Sequence, residues 1–156
     1  MLPFFQWCEN TAVGKGIRDS FWLFPTIEAV HLIGLALIGG AVLILNLRLL
    51  GIGFERQPIA RVARDAWPWL VGSLVAMIAT GIPLFLSEAV KCYYSPAFWI
   101  KMTSLAMAIL FTFTVHRRVA MLDESRLQPI TRRVVAVISL TLWLGVGIGG
   151  RWIGFS

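Results

Sequence analysis

The chain has 156 residues, 58% of them hydrophobic and 14% charged, with a mean hydropathy of +0.77 and a net charge of +6. A soluble domain carries about a quarter charged residues and just under half apolar ones, so this composition excludes one, and a disordered chain with it. Two cysteines exclude a disulfide-dense secreted scaffold, and the length allows one membrane domain, residues 1–156.

Residues 1–20 lack the basic start and plain apolar stretch of a cleavable signal. Phe4, Phe5, Trp7 and Val13 alternate there with Gln6, Glu9, Asn10 and Lys15. This reads as a short amphipathic segment lying in the outer interface. Four apolar runs follow, and they predict helices over about 21–50, 67–89, 97–117 and 134–153. A crossing takes about 20 residues, so each run is long enough. None alternates with period 2, which argues against a barrel. The expected fold is all-α: an integral membrane four-helix antiparallel bundle with a short amphipathic N-terminal segment. Gly81 and Pro83 are expected to kink the second helix, and Gly145 and Gly149 to serve close helix packing.

Nine basic residues fall on one face of this arrangement: Arg48, Arg56, Arg61, Arg64, Arg117, Arg118, Arg126, Arg132 and Arg133. The other face has five: Lys15, Arg18, Lys91, Lys101 and Arg151. The excess puts the loops of the first face in the cytoplasm and both termini in the periplasm of a bacterial inner membrane. Anionic lipids at the inner face are the expected partners of these arginines, and nucleic acid is not. Trp22, Trp99 and Trp152 at outer ends, with Trp67 and Trp69 at an inner end, fit an interfacial belt. Cys8 and Cys92 both fall on the oxidising side, which predicts a Cys8–Cys92 disulfide pinning the N-terminal segment.

Ionisable residues at membrane depth are costly and mark candidate sites. Glu28 and His31 share one face of the first helix, and Gly34 continues it. Glu88 ends the second helix, Lys101 and Met102 open the third, and Arg151 ends the fourth. Together they make an outer polar layer. Its bland explanation is a salt-bridge network of Glu28 and Glu88 with Lys101 and Arg151. An inner set comprises Asn46, Arg48, His116, Arg117 and Arg118, with His116 read as an interfacial residue unless an oligomer gives it a ligand role.

The two histidines differ in depth by about 18 Å or more, at 1.5 Å per residue across a core of ~30 Å. They are therefore not the axial pair of one haem within one chain. His31 has two routes to haem b. One is pairing with Met102, and the other is sharing a haem with His31 of a second copy across a two-fold axis. His116 of each copy would then hold a second haem. Gly34 would give a flat ring room, Lys101 and Arg151 would hold propionates, and Glu28 would orient the imidazole. The absence of C-x-x-C-H excludes covalent attachment. Copper is the alternative metal, through Met and His donors. No H-E-x-x-H, G-x-S-x-G or P-loop occurs.

The runs F-P-T-I-E-A-V-H-L-I-G (Phe24–Gly34), N-L-R (Asn46–Arg48), S-P-A-F-W-I-K (Ser95–Lys101), H-R-R (His116–Arg118) and G-G-R-W (Gly149–Trp152) carry a resemblance. Together they resemble a family of small four-helix bacterial inner-membrane proteins of unknown function, over essentially the whole chain. The resemblance gives weight to Glu28, His31, Lys101, His116 and Arg151. The H-x-x-G of the first helix is also distantly similar to copper resistance protein D and to membrane b-type cytochromes. The chain lacks the four ligand histidines of the di-haem cytochromes, so their mechanism does not transfer intact.

The expectation is a b-type haem membrane protein passing electrons within or across the membrane. A quinone or a periplasmic protein would be its redox partner, and the chain would be a homo-oligomer or part of a membrane complex. The alternatives are a copper or small-ligand binding or transport protein and a structural subunit of a larger complex.

Overall fold

The computed structural model describes residues 1–53, 56–122 and 127–153. Arg126, counted above with the basic loop, lies outside them. The described chain is helical: α1 (Leu2–Glu9), α2 (Ala12–Asp19), α3 (Leu23–Leu50), α4 (Ile59–Ser87), α5 (Ala89–Tyr94), α6 (Pro96–Phe111), a π-helical turn over Thr112–His116, α7 (Arg117–Met121) and α8 (Pro129–Ile153). Four spans are long and apolar enough to cross a membrane: α3, α4, the continuous stretch Pro96–Met121, and α8. At 1.5 Å per residue the 28 residues of α3 reach about 42 Å, longer than a ~30 Å hydrocarbon core.

Inside their most apolar windows these spans bury only 11 to 33% of their residues within the chain. The apolar side chains mostly face outward, which suits lipid and would be untenable in water. α3 packs against α4 and α8, and α8 against α6. Ile38, Val42, Leu70, Leu74, Ala108 and Val146 fill the middle of the bundle. Leu45, Leu49, Ile59, Val62, Ala120 and Ala136 fill the end where α3 turns into α4 and α7 leads to α8. Both connections therefore lie at one end, here called the basic end, and α1, α2 and α5 lie at the other.

Two of the spanning helices begin well before hydropathy predicts, while the first begins at Leu23 rather than 21. The second starts at Ile59 rather than 67 and the fourth at Pro129 rather than 134, while the third continues to Met121. The added turns are amphipathic. Ile59, Val62 and Ala63 are buried against Leu45 and Leu49, while Arg61 and Arg64 stay exposed. A hydropathy window averages over both faces and misses such turns. α4 runs without a break through Pro68 and Pro83. At the basic end Gly51 takes φ +79°, and the Gly51 and Ile52 amides return to the Arg48 and Leu47 carbonyls, a Schellman stop. Arg48, buried rather than lipid-facing, donates Nε to the Gln57 carbonyl at 2.8 Å and holds the α3–α4 loop to the helix it leaves.

The expected amphipathic segment is two short helices. Thr11 caps α2, its Oγ1 accepting from the Gly14 amide at 3.2 Å. Phe5 and Cys8 point inward onto Ala89, Phe85 and Phe98, while Phe4, Trp7 and Val13 stay exposed. The expected disulfide is not formed: Cys8 and Cys92 are both buried thiols. Other contacts do the pinning. Glu9 accepts from the Val90 amide at the start of α5 (2.7 Å) and from Arg18 (2.9 Å). Phe5 meets the rings of Phe85, Tyr93, Phe98 and Trp99.

Candidate functional site

Two polar groupings stand inside the bundle, one in each half. The first is built on His31. Eight residues into α3, it meets Thr80, seven residues before the end of the antiparallel α4. His31 Nδ1 and Thr80 Oγ1 are 2.8 Å apart. The threonine hydroxyl proton goes to the Ala76 carbonyl at 2.7 Å, so its oxygen accepts and the Nδ1–H of His31 donates. That favours the Nδ1–H tautomer, with the Met77 carbonyl a second acceptor near the ring, and Nε2 is the nitrogen not bonded to Thr80. Gly81 makes room for the ring, since a Cβ there would lie 3.3 Å from His31 Cε1.

Lys101, half-buried on α6, is close enough to His31 to interact electrostatically. Its stem lies along bare glycines of α8: a Cβ at Gly149 would sit 3.1 Å from Lys101 Cβ, and one at Gly150 would sit 3.6 Å from Nζ. Lys101 has no ion pair among the described residues.

The anticipated salt-bridge network is not what organises this half. Glu28 is exposed and makes no ion pair among the described residues, so Thr80 rather than Glu28 orients the imidazole. Glu88 pairs with Lys91 at 3.9 Å, one turn along the chain. Arg151 is exposed and lines a groove between α3 and α8. Met102 is 43% exposed, on the face of α6 next to the one that carries Lys101. A Cβ at Gly34 would stand 3.2 Å from Met77 Cγ, and the glycine borders a groove between α3 and α4, on the side of Pro68, Trp69 and Ser73 rather than of Lys101. Of the seven expected ligand and second-sphere residues, His31 and Lys101 lie within electrostatic range of each other.

Outside the spans, Cys92 lies close enough to Lys101 and Glu88 to feel both charges. Burial, with Glu88 second, pushes its thiol up to about 11.

The second grouping centres on His116, 1% exposed. Its Nε2 lies 3.0 Å from Asn46 Oδ1. The Asn46 amide donates to the Val42 carbonyl (2.8 Å) and to Ser139 Oγ (3.1 Å), so its oxygen accepts from the His116 Nε2–H. One residue triad thereby ties α3, the π turn and α8 together. Trp143 Nε1 donates to Thr112 Oγ1 at 3.2 Å on the same turn. His116 Nδ1 is buried with no partner among the described residues. His116 is therefore an interior residue, not the interfacial one that its H-R-R setting suggests. Its neighbour Arg117 does face outward, 4.5 Å above the Trp67 ring. Asn46 and His31 are 15 residues apart on α3, about 22 Å, so the two histidines do not share a ligand within one chain.

Sequence reasoning missed Thr80, Gly81 and Ser139. A threonine in an apolar helix usually bonds its own backbone and draws no notice. Matching depths across the α3–α4 hairpin would have found Thr80.

The family model described as Family of unknown function (DUF6644) matches residues 4–156, and the chain belongs to that family. No curated protein and no solved structure matches the chain, so the distant similarity to copper resistance protein D and membrane cytochromes gains no support from them.

Proposed function

We propose that this family member is a b-type haem-binding membrane protein that passes electrons, and that His31 would hold the haem. The observation that carries the reading is the Thr80–His31 bond. Ligating histidines donate their other ring N–H to a fixed acceptor, which orients the ring and raises its basicity. His31 has that arrangement, with Nε2 turned from the Thr80 bond and the Lys101 charge within electrostatic range. An imidazole lone pair next to an ammonium inside a membrane suits a ligand that offers both a metal and an anionic group. Haem offers iron and propionates, and when bound it supplies a one-electron couple.

In this reading His31 would hold the iron and Lys101 would neutralise a propionate, while Thr80 keeps the tautomer and Gly81 leaves the ring its room. Arg151, Glu28 and Gly34 take no part, because their positions lead elsewhere. Met102 is exposed on the outer side of α6, so His31 of a second copy would be the other group to hold the haem. His116 is buried with its Nε2 bonded to Asn46, so in this reading it holds no second haem. Quinone or a periplasmic protein is the redox partner, and the basic end faces the cytoplasm of a bacterial inner membrane with anionic lipids against its arginines.

The test is an absorption spectrum of the protein in mild detergent, from cells supplied with haem precursor, before and after dithionite. A Soret band with sharp reduced α and β bands is expected, at one haem per two chains. The His31→Ala variant should lose it, and Thr80→Val should keep haem with a shifted reduction potential. A colourless wild-type protein from such cells overturns the reading. Bound copper, measured on the same sample, would then carry the alternative ligand reading, and co-purifying partners that of a structural subunit.

A further inference from the structure

The helix face shared by α3 and α8 carries a groove of about 580 Å³ that the haem reading does not use. Leu35, Gly39, Trp143, Gly147 and Ile148 line it, and Arg151 and Trp152 stand at one end. On α8 these residues form one stripe at spacings of four: 143, 147, 151 and 144, 148, 152. The floor is bare, since a Cβ added at Gly39 or Gly147 would touch nothing within 4 Å. Ile148 and Trp152 are about 60% exposed and Arg151 is exposed.

The length of the groove identifies its occupant. From Trp143 to Trp152 is nine residues, about 14 Å, or one leaflet of a ~30 Å core. The lining of the groove ends at Trp143 on α8 and at Gly39 on α3. A transmembrane helix of a second copy would run through both leaflets and find no groove in the other half. A two-fold pairing on this face would also set two Arg151 side chains at one depth on the same seam. A single acyl chain needs only a slot one leaflet long, open to the bilayer along its side. A cation and an indole at headgroup depth are what a phosphate-bearing head requires. Glu28, on the same face of α3, lies two turns beyond Leu35, about 10 Å outside the lining.

We infer that this groove is a specific site for one anionic phospholipid of the leaflet at the N-terminal end. An acyl chain lies over Gly39 and Gly147, and its phosphate is at Arg151. The site is on the opposite end from the arginine-rich loops, and it rests on neither histidine.

The experiment is native mass spectrometry of the full chain in detergent, titrated with phosphatidylglycerol or phosphatidylcholine of equal chain length. Wild type should retain one phosphatidylglycerol per chain more tightly than any further one. Gly147→Leu fills the groove from a position where nothing is in the way of folding, and it should abolish that first tight binding. Arg151→Gln should keep a lipid but weaken phosphatidylglycerol about fivefold, removing the preference over phosphatidylcholine. Gly147→Ala, a smaller intrusion at the same open position, should fold and bind at reduced affinity. Unchanged binding in Gly147→Leu overturns the site. So does a shift of Gly147→Leu from dimer to monomer with lipid binding retained, which would assign the groove to a second copy.

Discussion

His116 and Asn46 illustrate how a buried polar pair is settled residue by residue. Each Asn46 amide hydrogen has an acceptor, and its oxygen takes the His116 proton. Asn46→Ala leaves the His116 Nε2–H without an acceptor and the Ser139 hydroxyl without its donor. A cost of about 1–3 kcal/mol follows for each stranded group. The variant should melt several degrees lower in detergent, at about 2–4 °C per kcal/mol for a chain of this size. Haem content should stay at the wild-type level, because His31 is about 22 Å away. An unchanged melting temperature would show that the triad contributes nothing net. Cys92 makes a second prediction. Its ordinary value is 9.0 and burial raises it to about 11 in the fold. Unfolded chains then lose the proton first, so this group favours the fold fully below pH 9, and the contribution fades as pH rises through 9 to 11. Thermal scans should show falling stability across that window, and Cys92→Ser should flatten the fall. Thiol reagents should label Cys8 and Cys92 slowly at pH 8 and promptly once the protein is unfolded.

At the scale of elements, two departures from a regular helix matter. The first is the π turn over Thr112–His116. A π turn inserts a residue and rotates everything beyond it, and such bulges gather at functional places. Here it lets Thr112 reach Trp143 and His116 reach Asn46 from one stretch of chain. The second is the seating of α2. Gly14 lies against α4 so closely that a Cβ would stand 2.5 Å from the Leu86 carbonyl oxygen, whereas one at Gly16 would meet nothing. Gly14→Ala must therefore lift α2 from the bundle, and Gly16→Ala must not. Limited proteolysis should cut the N-terminal segment of Gly14→Ala faster than wild type. Equal rates for the two variants would mean that α2 is not seated as described.

For the whole molecule, the prediction concerns orientation. Both helical connections lie at the basic end, and the excess of arginine there predicts that this end faces the cytoplasm. A reporter enzyme that works only in the periplasm should be active when fused after Ser156. Inserted in the loop before Pro129, it should be silent. The reverse pattern would invert the molecule without altering its fold.

Much of this was legible in the sequence. Four long apolar runs joined by basic loops admit one economical solution, because every backbone polar group in a membrane must be satisfied within a helix. Depth was legible too, as the spacing of His31 and His116 along the spans already separated them. What the sequence could not yield was azimuth. In a chain apolar on all sides, periodicity does not say which face of a helix turns inward. So Glu28 is exposed and makes no ion pair among the described residues, where a pairing with the other helices was expected. Thr80 meets His31, and the π turn carries His116 inside. Those partnerships depend on side-chain packing between helices distant in the chain, and only the tertiary structure decides them.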